Sequence, residues 1–166
     1  PTPYDVLERL ANSGFIRKQD VVLDYGCGKG RVDFFLAYQT RAHCVGVEYD
    51  DRIIAAAREN KNTAVSAGRV ELLLGNAESF PVPENINRCF FFNPFSVEIL
   101  QAAMSRILES YYGNPREMLL FFYFPSVEYI SYLMTVNELS FYDEIDCSDL
   151  FNENSDREKI MIFRLE

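Results

Sequence analysis

The sequence predicts an α/β domain: a sheet parallel through five strands, covered by helices on both faces and finished by an antiparallel hairpin. Three observations carry that expectation. Short apolar runs alternate with helical patterns along the chain, as strands joined by crossover helices do. The runs at 70–74, 89–92 and 118–122 are apolar almost throughout, which suits strands buried on both faces of a parallel sheet. The last two extended segments, 139–147 and 159–165, are separated only by a polar stretch without a helical pattern, so they are expected to pair antiparallel.

The elements follow in order. Residues 3–12 place Val6, Leu7 and Leu10 on one face of an amphipathic helix, and Gly14 follows as its stop. A first strand over 21–25 runs into the glycine turn from Gly26 to Gly30, and a helix resumes from Arg31 to about Gln39. A second strand covers 44–48, and the pair Asp50-Asp51 stands where it can cap a helix over 52–61. The third strand, 70–74, closes on Gly75-Asn76, and the fourth, 89–92, ends in Asn93-Pro94-Phe95. From Ser96 to Tyr112 the residues Val97, Leu100, Met104, Ile107 and Leu108 recur at helical spacing, until Gly113-Asn114-Pro115 stops them. The fifth strand, 118–122, and a helix over 127–136 lead to the hairpin.

Composition narrows the class. The 166 residues suit one domain over 1–166, and 48% hydrophobic with 25% charged residues is the balance of a soluble globular chain. No apolar run approaches the roughly 18 residues of a membrane span. Pro1-Thr2-Pro3-Tyr4 has no basic-then-apolar leader and no initiator Met, as in a processed or trimmed chain. Cys27, Cys44, Cys89 and Cys147 form no CxxC pair, and His43 is the single histidine, so no metal site is expected. Scattered thiols of this kind read as reduced cysteines of a cytoplasmic protein. The net charge is −9, basic residues are dispersed, and Asp143, Glu144, Asp146, Asp149, Glu153 and Asp156 gather near the end. Duplex DNA or long RNA is therefore a poor partner, and the charge itself reads as a well-solvated surface.

The chemistry concentrates in Val22-Leu23-Asp24-Tyr25-Gly26-Cys27-Gly28-Lys29-Gly30. A strand feeding a glycine turn into a helix lets a nucleotide-like ligand approach the backbone, because a Cβ at alternate positions would block it. Nicotinamide-binding folds use a related turn, but two features point away from a dinucleotide. Arg31 stands where that fingerprint wants Gly or Ala. Asp24, just before the first glycine, would repel a diphosphate and suits a cationic amino group.

The stretch VLDYGCGKG resembles motif I of the class I S-adenosylmethionine-dependent methyltransferases, hydrophobic-Asp-x-Gly-x-Gly-x-Gly, and the resemblance continues in order along the whole chain. It implies that family's Rossmann-like seven-stranded sheet, of order 3-2-1-4-5-7-6, with S-adenosyl-L-methionine as cofactor and methyl transfer as the activity. By the same resemblance Asp24, Gly26, Cys27, Gly28 and Gly30 form the cofactor turn, Glu48 holds the ribose hydroxyls and Tyr49 lies against the adenine. Asn76-Ala77 matches the adenine-contacting loop, with Asn in place of the usual Asp and a side-chain carbonyl able to accept from the amine. Tyr4 is placed over the cofactor, as leading helices often are in the family.

Asn93-Pro94-Phe95 resembles the Asn/Asp-Pro-Pro-aromatic motif of enzymes that methylate amino nitrogens, where the Asn accepts hydrogen bonds from the target amine and the ring stacks on a planar substrate. The second proline is missing here, which brings Phe95 one residue closer to Asn93. Asn93 is thus the candidate catalytic, acceptor-side residue; the other reading is a loop start, with Ser96 capping the next helix. Phe95, Tyr123 and Tyr129 fall near strand ends, where α/β folds open their crevice, and Phe95 and Tyr123 are taken as substrate-side. No large insertion is present for target recognition, so a small molecule or a protein is the expected acceptor, through an amino nitrogen first. A catalytically silent module that binds the same cofactor is the alternative.

Overall fold

In the computed structural model, which describes residues 1–92, 95–152 and 155–166, helix and strand alternate along the chain up to the last strand pair, except that the third and fourth strands follow one another without a helix between them. The helices are α1 (Tyr4–Ala11), α2 (Arg31–Thr40), α3 (Asp51–Lys61), α4 (Val97–Gly113) and α5 (Val127–Leu133). The strands are β1 (Val21–Tyr25), β2 (His43–Glu48), β3 (Val70–Leu74), β4 (Arg88–Phe91), β5 (Met118–Tyr123), β6 (Leu139–Asp146) and β7 (Lys159–Leu165). They form one sheet in the order β3-β2-β1-β4-β5-β7-β6. The first five strands run parallel, and β7 is antiparallel to both β5 and β6. This is the sheet order that the motif resemblance implies.

Two layers of side chains build the core. On one face, Val6, Leu7 and Leu10 of α1, Leu36 and Ala37 of α2, and Ile54 and Ala57 of α3 meet Val22, Phe90 and Phe121 of the sheet. On the other, Leu100, Met104 and Ile107 of α4 and Leu133 of α5 meet Leu23, Leu120 and Phe163. An aromatic column crosses the second face: Tyr25 stacks on Phe91 at 4.7 Å, and Phe91 on Phe122 at 4.6 Å. Rings at these separations add about 0.5–1.5 kcal/mol per pair beyond the area they bury.

Local chemistry sets the helix ends. Asp50 accepts from the N–H groups of Arg52 and Ile53 at 2.9 and 3.3 Å, and Ser96 accepts from Ile99 at 3.4 Å. Helix α5 stops at Leu133, three residues short of the sequence expectation. The Thr135 hydroxyl donates to the Tyr132 carbonyl at 2.6 Å, and the β-branched Thr135 and Val136 do not favour another turn.

The expectation that β3 is covered on both faces needs correction. It is an edge strand, and Glu71 and Leu74 are exposed. The polar stretch before β7 also holds one 3-10 turn, Ser148–Leu150. All four cysteines are buried free thiols. No helix among the described residues is long and apolar enough to cross a membrane.

Candidate functional site

Parallel strands β2, β1 and β4 end side by side, and the strand order reverses at β1, with β2 and β3 on one side and β4 on the other, so a crevice opens at their carboxyl ends. A cavity of about 1080 Å³ fills it, lined by residues 24–29, 47–49 and 75–78 together with Thr2, Phe90, Phe92, Phe95 and Ile99. That volume is at the upper end of small-molecule sites, about 300–1,000 Å³, and leaves room for two ligands side by side.

The glycine turn is held by the strand beside it. Gly26 and Cys27 both donate their N–H groups to the Val47 carbonyl, at 2.9 and 3.0 Å. Gly28 and Gly30 take the left-handed φ values of 55° and 92°. Gly28 donates its N–H to Glu48 Oε1 at 3.0 Å, and Asp50 donates its own to Glu48 Oε2 at 3.1 Å. Gly30 must lack a side chain, because a Cβ would meet the Phe34 ring at 2.7 Å.

Behind the turn sit two buried acids. Asp24 lines the cavity yet is only 3% exposed, and Asp33, on the first turn of α2, is fully buried. Burial pushes Asp24 up to about 7; a hydrogen bond from Asp33 lowers it and the Glu48 charge raises it. Burial, followed by the Asp24 charge, pushes Asp33 well above the usual carboxylate range. The Tyr25 hydroxyl, at the cavity floor, has no partner among the described residues.

A family model described as a methyltransferase domain matches residues 16–140, three quarters of the chain. The chain belongs to the class I S-adenosylmethionine-dependent methyltransferases. A protein-lysine N-methyltransferase of Saccharolobus islandicus (strain REY15A) is 34% identical to it over 77 residues, 46% of this chain and 48% of that protein. The match thus spans about half the length of the relative. An RNA methyltransferase from Salinibacter ruber in complex with S-adenosyl-L-homocysteine superposes with a TM-score of 0.66 at 19% identity, covering 99% of this chain and 92% of that one. A putative rRNA methylase from Clostridium thermocellum gives 0.69 at 17% identity, with 99% and 97% covered. At such identities the likeness is one of fold.

The methyltransferase cofactor is S-adenosyl-L-methionine, and the residues present fit it. Each Glu48 oxygen accepts one backbone N–H and keeps a lone pair for a ribose hydroxyl. Asp24 Oδ2 has no partner among the described residues, which suits the cationic amino group of the methionine end. Tyr49, 77% exposed, forms the lip beside them. Asn76 and Ala77 line the cavity as expected from the motif, but Asn76 Oδ1 already accepts from the Glu78 N–H at 3.0 Å. One lone pair of that oxygen and the amide N–H groups are left for the adenine.

Other expected residues are distributed differently. Phe95 lines the cavity, edge-on to Tyr25 and Phe91 at 6.3 and 6.2 Å. Tyr123 does not line it: the ring is 2% exposed, sits 4.8 Å from Phe92, and donates its hydroxyl to Glu158 at 2.8 Å. The expectation of a substrate-side Tyr123 fails because strand alternation turns its ring into the α1–α3 layer. Tyr129 is buried too, donating to the Phe95 carbonyl. Tyr4 does not cover the cavity; the Arg31 guanidinium lies over its ring at 4.4 Å, and Pro1 and Thr2 line the cavity instead. Asn93 lies outside the described residues.

Sequence reasoning missed Phe92, Ile99 and Asp33. The phase of α2 held a signal for the last, since Asp33 precedes the buried Leu36 and Ala37 by three and four residues.

Proposed function

We propose that this chain transfers the methyl group of S-adenosylmethionine to an amino nitrogen, with a protein lysine as the first acceptor to test and a small-molecule amine as the second. The observation that carries this reading is the lining of the cavity. Glu48, Asp24 and the glycine turn supply polar groups from β1 and β2, and the apolar side chains of Phe92, Phe95 and Ile99, which follow β4 on the other side of β1, remain for an acceptor. When bound, the cofactor supplies a methyl group on a sulfonium, already activated towards displacement. What the chain must add is alignment and exclusion of water, which can supply about 7–11 kcal/mol. Asp24 holds the methionine end and Glu48 the ribose in the middle, and the aromatic wall keeps the approach to the cofactor's sulfur dry.

Two further observations support an amine. The net charge of −9 draws a cationic side chain towards the surface and repels polyphosphate. The Saccharolobus relative is a protein-lysine N-methyltransferase. Asn93, which follows Phe92 in the sequence, is proposed to accept the hydrogen bond of the incoming amine, and its support is the sequence motif. The test is transfer from methyl-labelled cofactor to three pools: lysine-rich protein, small amines and ribosomal RNA. Label on lysine or amine nitrogen, reduced about 10-fold or more in kcat by Asn93→Ala with cofactor affinity kept, is the expected result. Label on RNA alone overturns the acceptor, and cofactor binding without transfer to any pool favours the silent module.

A further inference from the structure

Asp33 makes none of the cofactor contacts, yet it is the most deeply buried acid at the site. It sits under the glycine turn on α2, does not line the cavity, and is 0% exposed. Neither of its oxygens accepts from an N–H or O–H of another described residue, and neither does Asp24 Oδ2. A lone buried carboxylate is heavily penalised, and two adjacent ones still more. The two carboxyls lie within hydrogen-bonding reach of one another, and such a pair can bond only if one member keeps its proton and donates it.

Strand β2 makes room for the arrangement. A Cβ on Gly46 would come within 2.9 Å of Cys27 Sγ and 3.0 Å of Asp33 Oδ1. The titratable groups around the pair are Cys27 in the turn and Cys44 and Glu48 on β2. Burial keeps both thiols protonated, which leaves Glu48 as the third acid. No Lys or Arg among the described residues acts on either Asp.

We propose that Asp33 is a positioning residue for the amino group of the cofactor: it keeps its proton and donates it in a hydrogen bond to Asp24, so that the pair meets the ammonium with a single negative charge, carried on Asp24. When the ammonium arrives at low pH, the Asp24 proton leaves to solvent and the Asp33 proton stays. Asp33 thereby serves as a neutral donor that an amide can replace and a hydrocarbon cannot. The inference rests on the assignment of the methionine end to Asp24.

The test is calorimetric titration of the full chain between pH 5.5 and 8, in buffers of different ionisation enthalpy. The probes are S-adenosylhomocysteine and 5′-methylthioadenosine, which lacks the amino-acid end. Binding of S-adenosylhomocysteine at pH 6 is expected to release close to one proton, and its affinity to rise about tenfold per pH unit before levelling. Methylthioadenosine is expected to show neither effect. Asp33→Asn keeps this profile within about threefold, whereas Asp33→Leu, of the same forked shape, weakens S-adenosylhomocysteine about tenfold or more at pH 7 and spares methylthioadenosine. Equal losses in the two variants, or no loss in Asp33→Leu, overturn the inference. If Asp33→Leu does not fold, the wild-type comparison decides, and a proton release equal for the two probes overturns it. Failure of both probes to bind at any pH overturns the cofactor-site assignment as well.

Discussion

Glu48 ties the two turns of the site together. Its oxygens accept from the Gly28 and Asp50 N–H groups at 3.0 and 3.1 Å, so one carboxylate clamps the turn after β1 to the turn after β2. Glu48→Ala removes both anchors and, on the proposed reading, both ribose partners. The expected loss is about 1.5–3 kcal/mol, or roughly 10–100-fold in S-adenosylhomocysteine affinity by calorimetry. Unchanged affinity removes Glu48 from the site. Gly46 works by absence, since a methyl group there would press on Cys27 and Asp33. Gly46→Ala should cost about 1–3 kcal/mol of stability by overpacking. A thermal melt unchanged from wild type would mean that the two side chains can move aside freely.

At the scale of elements, the helix that follows β2 separates stability from binding. Asp50 caps α3 through its side chain, but its bond to Glu48 comes from the backbone N–H, which any residue but proline supplies. Asp50→Ala is therefore expected to cost about 1 kcal/mol and lower the Tm by about 2–4 °C. Cofactor affinity should hold within about twofold, and a loss as large as that of Glu48→Ala would refute the separation. Strands β1, β3 and β7 begin and end where the sequence pattern puts them, because each is a short apolar run bounded by turn residues. The glycine turn and Glu48 were legible for a related reason: they mark strand ends. Asp33 was passed over despite its phase on α2, because an acid on the first turn of a helix reads as a solvated partner of the helix dipole. Room for its side chain depends on Gly46, which lies in the next strand, β2. Tyr123 misled for the opposite reason, since a strand end fixes position along the sheet but not the face a ring turns to.

Across the whole molecule, the buried acids set how stability depends on pH. The unfolded chain gives up its Asp protons near pH 4, while in the folded chain burial raises Asp24 to about 7 and pushes Asp33 well above the usual carboxylate range. Between those values the native state binds more protons, so their contribution is fully present below about pH 4 and lost as pH rises through the folded values. Each proton contributes a slope of at most about 1.4 kcal/mol per pH unit. Raising the pH from 6 to 8 should lower stability by at least about 1 kcal/mol and the Tm by at least roughly 2–4 °C. The net charge of −9 offers a competing cause, through repulsion spread over the surface. Salt separates the two, because exposed charges are screened beyond about 10 Å at 0.1 M and a buried pair is not. The fall in Tm should therefore be the same at low and high salt. Asp33→Asn, which cannot ionise, should roughly halve it and exceed wild type in stability at pH 8. A fall that disappears in salt, or that Asp33→Asn leaves unchanged, would place the effect on the surface and not in the pair.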